Sequence, residues 1–377
     1  MKSIVLYSPY WGTFGGGEKY LLGIAEVLSE NPEHDVTIVS SDASISKMQL
    51  EKFSHIDLSR IRFKHAAGMR DVPVVVGDAD CFIFQSNVRK IVTRARSYVQ
   101  IIQIPYRKIT PLSVASKVCR GQIREGGKDI LRLRLMSFAR RQASVVLVYS
   151  QFVQDILKRN YDIESSILHP PIQDFYETGY DKKNIILSVG RLFHGLYNNK
   201  RYDIMTEAFR KMCDSGLTGW EYHIVGTAAA DYKSQEMIRN FKKVNQKYPI
   251  YFHLNESFDV MRRLYNESTM FWHGAGYGID EKKNPENAEH FGMTTVEAMS
   301  AGSIPIVVNK GGQREIVTAG FNGFLWETID ELISHSFQII HGNIDRAKYS
   351  SEVRKRFSDY SFPSFQKRAL DLLSPLL

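Results

Sequence analysis

The sequence predicts two doubly wound α/β domains in tandem. Its length of 377 residues corresponds to about two domains of ordinary size. Short apolar runs alternate with helix-like stretches, and several runs are continuous in Val, Ile and Leu, which is typical of parallel strands buried on both faces. A hydrophobic fraction of 43% and a charged fraction of 24% fit a folded chain rather than a disordered one. One stretch interrupts the alternation of apolar runs and helix-like segments.

The interruption is HPPIQDFYETGYDKKN (His169–Asn184), which is rich in Pro, Gly and charge and is predicted to be an interdomain linker. We expect domains at residues 1–172 and 173–355, and a C-terminal helix at 356–377 that packs back on the first domain. Such sheets bind ligands at the carboxyl ends of their strands, so the main site is expected in a cleft between the domains. The predicted strands are Ser3–Pro9, Asp35–Ser41, Asp80–Gln85, Tyr98–Ile104, Ser144–Ser150, Ile185–Gly190, Glu221–Gly226, Ile250–Leu254, Met270–His273 and Ile304–Val308.

Charge and cysteine content limit the classes of partner. The net charge of +8 favours an anionic partner such as a nucleotide, a nucleic acid or a lipid surface. Residues 107–141 hold ten Lys or Arg and two acids. The three cysteines are widely spaced and form no CxxC pair, which argues against a disulfide framework and fits a reducing compartment. No apolar run approaches the ~20 residues that a membrane-spanning helix needs, so any membrane contact is expected to be peripheral.

A glycine loop, PYWGTFGGGEKYLLGIAEVL, follows the first predicted strand and leads into a helix. Gly16 and Gly17 would let the backbone approach a ligand, and the helix start offers free N–H groups and a positive dipole end. A dinucleotide-binding loop is a weak alternative, because the third glycine of GxGxxG is replaced by Tyr20. A tight turn with no ligand is equally consistent with the loop alone.

The stretch EHFGMTTVEAMSAG places Glu289 and Glu297 eight positions apart around a glycine-led helix start. Thr294-x-x-Glu297 is a capping-box pattern, which is one interpretation of the second acid. In the other, the amides of Gly292–Thr295 bind an anion while the two carboxylates accept hydrogen bonds from diols at either end of a nucleotide diphosphate sugar. A glycosidase acid/base pair is a third alternative that the local sequence leaves open.

Two basic residues follow the strand that opens the second domain, in SVGRLFHGLYNNKRYDIMTEAF. Arg191 and Lys200 would neutralise a leaving diphosphate, although each could also be an ordinary surface charge. No acidic cluster has the spacing of a hard-metal site, so these cations and the helix dipole are expected to take the place of Mg²⁺.

Taken together, these motifs resemble the retaining glycosyltransferases of the GT-B fold, in sequence family 4, over nearly the whole chain. The matching segments are GGGE at Gly15–Glu18, SVGR…K, and E-x7-E with FG inside it. YSQFVQDIL and HPPI look like the last elements of that family's N-terminal domain. The GGGE and EHFG forms look most like mannosyltransferases that extend lipid-linked oligosaccharides and related bacterial enzymes.

The resemblance implies metal-independent transfer of a hexose such as mannose from GDP-mannose or a UDP-sugar, with retention of configuration. It also implies a glycan or lipid-linked acceptor in surface polysaccharide or glycolipid synthesis. By this analogy Glu289, Arg191 and Lys200 are the catalytic residues, with Glu289 on the donor sugar and the two cations on the diphosphate. The donor would be held by Gly16, Gly17, Arg191, Lys200, His290, Phe291, Gly292, Met293, Thr294 and Glu297, the last on the ribose.

The sequence departs from that family in two places. Many relatives have a histidine where IIQIPYR has Gln103, and the interval from Arg191 to Lys200 is longer than in many of them. Gln103, Tyr106 and His273 are candidate residues of the acceptor site or cleft, and a packed histidine is an equal alternative for His273.

The basic stretch between Ser116 and Gln142 mixes arginines with apolar residues, as interfacial helices do, or it is an ordinary solvated face. We expect a cytoplasmic protein, peripheral on the inner face of an anionic membrane. The alternatives to a glycosyltransferase are a nucleotide-sugar epimerase on the same fold and a non-enzymatic basic binding protein. No nucleic-acid-binding motif is present, so nucleic acid is not an expected partner. The sequence does not specify the sugar, the base, the acceptor or the oligomeric state.

Overall fold

Two parallel β-sheets, each covered by helices, make up the computed structural model, which describes residues 1–195 and 200–377. The chain divides into a first unit, Met1–Pro171 with Phe362–Leu377, and a second unit, Ile172–Ser361. The division at Pro171 lies within the predicted linker, and the C-terminal segment of the first unit begins at Phe362 rather than at the predicted residue 356.

Within the described residues the first sheet has seven strands in the order β3-β2-β1-β4-β5-β6-β7, all of them parallel. Its central strands are buried along most of their length because helices cover both faces. The strands are β1 (Lys2–Tyr7), β2 (His34–Ser40), β3 (Arg62–His65), β4 (Cys81–Gln85), β5 (Ser97–Ile101), β6 (Val145–Val148) and β7 (Ser166–Ile167). The helices are α1 (Gly16–Ser29), α2 (Lys47–Ser54), α3 (Val72–Val76), α4 (Pro111–Cys119), α5 (Ile123–Arg141) and α6 (Gln151–Tyr161).

The second sheet has six parallel strands in the order β10-β9-β8-β11-β12-β13 within the described part of the chain. Its strands are β8 (Lys183–Val189), β9 (Glu221–Gly226), β10 (Ile250–Leu254), β11 (Ser268–His273), β12 (Ile304–Val308) and β13 (Phe324–Trp326). Its helices are α7 (Tyr202–Asp214), α8 (Tyr232–Asn245), α9 (Phe258–Glu267), α10 (Met293–Ser300), α11 (Gln313–Ile316), α12 (Ile329–Ile340) and α13 (Arg346–Phe357).

The last helix, α14 (Phe362–Leu373), belongs to the first unit. It packs on α1, where the rings of Phe365 and Tyr20 lie 5.9 Å apart between centroids. A buried ring on α14 therefore helps to cover the same face of the first sheet that α1 covers.

All ten predicted strands are present within a few residues of their expected ends, and three edge strands were missed. β3 is RFKH and mostly exposed, while β7 and β13 have only two and three residues. An edge strand has a neighbouring strand on one side only, so its sequence need not be as apolar as that of a central strand. A strand of two or three residues is also too short to show a hydrophobic periodicity.

Candidate functional site

Glu289 is the centre of a polar cluster at the carboxyl end of the second sheet, between β11 and α10. Its Oε2 atom accepts hydrogen bonds from Lys200 Nζ at 2.5 Å and from His273 Nε2 at 3.0 Å. The residue is only 8% exposed. Lys200 precedes α7 and His273 ends β11, so the fold brings together three predicted residues from separate segments of the chain.

Burial and charge act in opposite directions on Glu289. Burial alone raises the pKa of this carboxyl group, but the Lys200 charge and the hydrogen bond from His273 outweigh it and hold the pKa well below its usual range. Burial lowers the pKa of His273, so this imidazole is neutral at neutral pH. The cluster therefore consists of one carboxylate, one ammonium and one neutral ring.

A further residue, which the sequence analysis missed, completes this cluster. The amide Nε2 of Gln313, the first residue of α11, lies 3.2 Å from His273 Nδ1. Gln313 is fully buried. The double glycine of KGGQ, directly after the buried strand β12, was the available signal, because glycines at the carboxyl end of a parallel strand often accompany a site.

The glycine of EHFG is required by the same cluster. Gly292 has a φ of +124°, and a methyl group placed on it would lie 2.6 Å from Gln313 Nε2. A side chain at this position would both strain the backbone and displace the amide that contacts His273. Gly292 also precedes the first residue of α10, so one glycine sets both the helix start and the space for Gln313.

The start of α10 has no side-chain cap, so the capping-box interpretation of Thr294 and Glu297 was wrong. Thr294 is the second residue of the helix rather than its N-cap, and Glu297 accepts a hydrogen bond from the Tyr265 hydroxyl at 2.7 Å instead. The N–H of Thr295 bonds to the Gly292 carbonyl at 3.0 Å, whereas the N–H groups of Met293 and Thr294 precede this first turn. These two donors and the helix dipole make the start of α10 suitable for an anion.

The two residues between Glu289 and Gly292 differ in orientation. His290 directs its Nε2 to the Glu286 carbonyl at 3.1 Å, and burial lowers the pKa of its ring. Phe291 is buried and packs against the Tyr360 ring, with 5.4 Å between ring centroids. A ligand contact by Phe291 would therefore involve its backbone rather than its side chain.

Arg191 and Lys200 line one pocket in the second unit. Arg191 is exposed, and its guanidinium lies 5.9 Å from the centroid of the Phe193 ring. Residues 196–199, in the long interval between the two cations, lie outside the described part of the chain. The other described residues that line this pocket are Leu192, Phe193, Tyr202, Asp203, Met237, Ile238 and Phe241.

The glycine loop of the first unit is arranged differently from the start of α10. Gly16 begins α1, and the buried Glu18 accepts hydrogen bonds from the Gly15 N–H at 2.9 Å and from the Thr13 hydroxyl at 2.6 Å. The acid of GGGE therefore bonds to the N-cap residue of its own helix, as the acidic member of a capping box does. This carboxylate makes the start of α1 unfavourable for a second negative charge.

Gln103 lies over Gly17 together with Gln85, the last residue of β4. A methyl group on Gly17 would lie 2.5 Å from Gln103 Nε2 and 2.6 Å from Gln85 Nε2. Gln85 is 1% exposed, and among the described residues neither its Oε1 nor Gln103 Nε2 has a hydrogen-bond partner. Tyr106 is buried, and its hydroxyl donates to the Asn87 carbonyl at 2.7 Å.

The basic stretch forms α4 and α5, and part of its charge is internal. The buried Asp129 pairs with Lys117 and, at 3.0 Å, with Arg132. The two helices, α4 and α5, which form a helical hairpin, also carry exposed apolar side chains at Leu112, Val118, Ile123 and Ile130. Its surface therefore combines cations with apolar residues.

Two further properties concern the part of the chain that the structure describes. Across residues 1–195 and 200–377, no group of three or more His, Cys, Asp or Glu side chains is arranged to hold a metal ion. No helix within the same residues is both long enough and apolar enough to span a bilayer.

Comparison with protein families gives a match at the second unit. Residues 172–356, just under half of the chain, match the family described as "Glycosyl transferases group 1". The matched residues cover nearly all of the second unit, Ile172–Ser361. Glu289, Lys200, His273 and Gln313 all lie inside the matched residues.

Two curated relatives are mannosyltransferases of Dictyostelium discoideum. The "GDP-Man:Man(3)GlcNAc(2)-PP-Dol alpha-1,2-mannosyltransferase" is 25% identical over 60% of this chain and 45% of its own length. The "Alpha-1,3/1,6-mannosyltransferase ALG2" is 33% identical over 23% of this chain and 21% of its own length. The matches thus span less than half the length of either relative.

Solved structures resemble the chain over its full length. The Anabaena protein Alr3699/HepE, solved in complex with UDP, has a TM-score of 0.73 at 17% identity, and the match covers 100% of both chains. This likeness and the two parallel sheets confirm the predicted GT-B fold class. At this level of identity the likeness establishes the fold alone.

Proposed function

We propose that this protein is a retaining glycosyltransferase that transfers a hexose from a nucleotide diphosphate sugar to a hydroxyl of a glycan or lipid-linked acceptor. The observation that carries the proposal is the Glu289 cluster at the carboxyl edge of the second sheet, next to an uncapped helix start and inside the residues that match the family described as "Glycosyl transferases group 1".

The proposed roles in donor binding follow from charge and geometry. Among the described residues, both partners of Glu289 use Oε2, which leaves Oε1 to accept a hydrogen bond from a hydroxyl of the donor sugar. The N–H groups of Met293 and Thr294 would bind phosphate oxygens. Lys200 and Arg191 would stabilise the negative charge that develops on the leaving diphosphate. In this scheme the departing diphosphate is stabilised by side-chain cations and a helix dipole, without a metal ion.

Mannose from GDP-mannose is the donor to test first. Both curated relatives are named mannosyltransferases, and one name includes GDP-Man as the donor. Alr3699/HepE was solved with UDP, so UDP-sugars form the second group of donors to test.

For the first unit we propose a contact with sugar hydroxyls. The side chains of Gln85 and Gln103 both lie over Gly17. Among the described residues, Gln85 Oε1 is an acceptor without a partner and Gln103 Nε2 is a donor without a partner. A hydroxyl group donates and accepts at the same time, so this pair suits a sugar better than it suits a phosphate. Because Glu18 already occupies the start of α1, an anion is disfavoured there.

A panel of GDP-mannose, UDP-glucose and UDP-N-acetylglucosamine, each with and without octyl glycoside acceptors, tests the proposed function. We expect one donor to raise the melting temperature and to give a glycoside product whose anomeric configuration, read by proton NMR, matches that of the donor. Activity that persists in EDTA would support the metal-independent scheme. An altered sugar nucleotide formed from donor alone would favour the epimerase, and inverted product would overturn retention.

We also propose that the protein acts on the cytoplasmic face of a membrane, which it contacts through α4 and α5. Leu112 and Ile123 are 83% and 70% exposed, and the arginines of the same hairpin provide the attraction to anionic lipid. Flotation with vesicles that contain anionic lipid should carry the protein upward, and L112S/I123S should reduce the floated fraction. Equal flotation with neutral and anionic vesicles would contradict this proposal.

A further inference from the structure

A chain of hydrogen bonds leads from α11 through β11 to the Glu289 carboxylate. Gln313 Nε2 lies 3.2 Å from His273 Nδ1, and His273 Nε2 lies 3.0 Å from Glu289 Oε2. Gln313 and His273 are 0% and 2% exposed, so solvent does not compete for these contacts. The segment that carries Gln313 is also held next to Glu289 by a main-chain hydrogen bond, in which the Gly312 N–H donates to the Glu289 carbonyl at 2.9 Å.

Only one protonation pattern satisfies this chain. A neutral imidazole has one N–H, and the carboxylate of Glu289 can only accept, so that N–H must be on Nε2. Nδ1 then carries a lone pair, and the group that faces it must be a donor. The amide of Gln313 supplies an N–H, whereas a carboxylate at the same place could not.

We propose that Gln313 is a positioning residue that locks His273 in the Nε2–H tautomer, so that the imidazole holds Glu289 in the orientation in which it binds the donor sugar. The proposal rests on the function proposed above. It gives α11 and the KGGQ segment a role in the reaction that is separate from donor contact, and it explains why Gly292 leaves room for the amide.

The electrostatic surroundings make this tautomer independent of pH near neutrality. The charged groups that act on His273 are Lys200 and Glu289, and the nearby titratable groups that interact with Glu289 are His290 and Tyr202. Lys200 and burial lower the pKa of His273, while Glu289 raises it, with the net direction downward. Binding of the sugar therefore does not require protonation of the His273 ring.

The substitution Gln313→Glu reverses the pattern with almost no change in shape. The introduced carboxylate must accept from Nδ1, so His273 either moves its proton to Nδ1 and loses the bond to Glu289, or takes a second proton. The pKa of His273 should rise, and the doubly protonated form, which restores both bonds, should gain as pH falls. We expect kcat of Q313E to fall at least tenfold at pH 8 and to recover partly towards pH 6, whereas the wild type shows no such recovery.

Two readouts separate positioning from stability. In ¹⁵N-histidine-labelled protein, with the His273 signal assigned through H273N, the wild type should show the neutral Nε2–H tautomer from pH 6 to 8, and Q313E should not. The control Q154E removes a glutamine amide that donates to the Ser165 carbonyl at 2.6 Å in the first unit, and it should leave the pH profile of kcat unchanged.

A Q313E variant with the wild-type pH profile, or with His273 still in the Nε2–H form, would overturn the proposal. So would a loss of activity that merely follows a lowered melting temperature. If the wild type transfers no sugar from any donor, the proposed function fails, while the NMR measurement still decides the tautomer.

Discussion

Two lysine–glutamate pairs lie at opposite ends of the second sheet, and only one of them has the surroundings of a site. Lys183 and Glu267 pair at 2.6 Å at the amino end, where β8 and β11 begin, and Lys200 and Glu289 pair at 2.5 Å at the carboxyl end. Both carboxylates are largely buried, at 12% and 11% side-chain exposure, but Lys183 is 57% exposed and Lys200 only 14%.

The difference lies in what surrounds each pair. At the carboxyl end Glu289 also binds a buried histidine, and an uncapped helix begins four residues later. In parallel sheets the loops that follow the carboxyl ends of the strands carry the site, while the opposite loops mainly connect elements. An ion pair is therefore weak evidence for function until its end of the sheet and its neighbours are known.

The largest expected difference between the two ends is in transfer activity. Glu289→Ala removes the carboxylate proposed to bind the donor sugar and should lower kcat by about 10²–10³-fold, the range seen when one preorganised transition-state contact is lost. Its far-ultraviolet circular dichroism should stay that of the wild type. Glu267→Ala removes an equally buried acid at the other end and should keep more than half of the transfer rate. Near-normal turnover in E289A would remove Glu289 from the site.

The next difference is in stability and its dependence on pH. The pKa of Glu289 is depressed in the folded state, so its pairing stabilises the protein above the unfolded carboxyl pKa of about 4.3 and this contribution is lost as pH falls. In K200M only the hydrogen bond from His273 would oppose burial, so the pKa of Glu289 should rise above its unfolded value, and the variant should lose stability as pH rises above about 4.3. The free energy of unfolding should fall by about 3 kcal/mol at pH 7, since a buried charge loses its partner.

Urea unfolding of the wild type and K200M at pH 4, 5.5 and 7 measures this effect. The gap between the two proteins should widen as pH rises. K183M is the matched control at the amino end, where the lysine is exposed, and it should cost at most about 1 kcal/mol at any of these pH values. A gap of constant size across the pH range would contradict the assigned charge on Glu289.

The smallest expected difference concerns two glycines. Gly292 at the carboxyl end and Gly219, in the loop before β9 at the amino end, both have positive φ, at +124° and +71°. An alanine at Gly219 meets open space and should cost about 1–2 kcal/mol of backbone strain, with transfer unchanged. An alanine at Gly292 also meets the Gln313 amide, so it should reduce transfer about tenfold in addition to a similar strain cost. Thermal unfolding and initial rates measure the two effects, and equal rates in G292A and G219A would contradict the role of Gly292.

The fold was largely predictable from the sequence because its central strands are buried on both faces and therefore read as continuous apolar runs. The interruption at His169–Asn184 indicated two units for a similarly local reason, because Pro, Gly and charge disfavour a buried element. The exposed strand β3 did not follow this rule, since its pairing with β2 is backbone hydrogen bonding that its side chains do not report.

The sequence by itself determined the periodicity of both sheets, the glycines at the two helix starts and the acids and cations that are candidates for a site. Only the tertiary structure decided which of these groups meet, because the bond from Lys200 to Glu289 spans 89 positions and the one from His273 to Gln313 spans 40. It also decided that Glu18 bonds to the N-cap residue of its helix while Glu297 does not, since this bond depends on where the helix begins and not on residue spacing. The protonation pattern that links Gln313 through His273 to Glu289 holds only because burial excludes water from these three side chains.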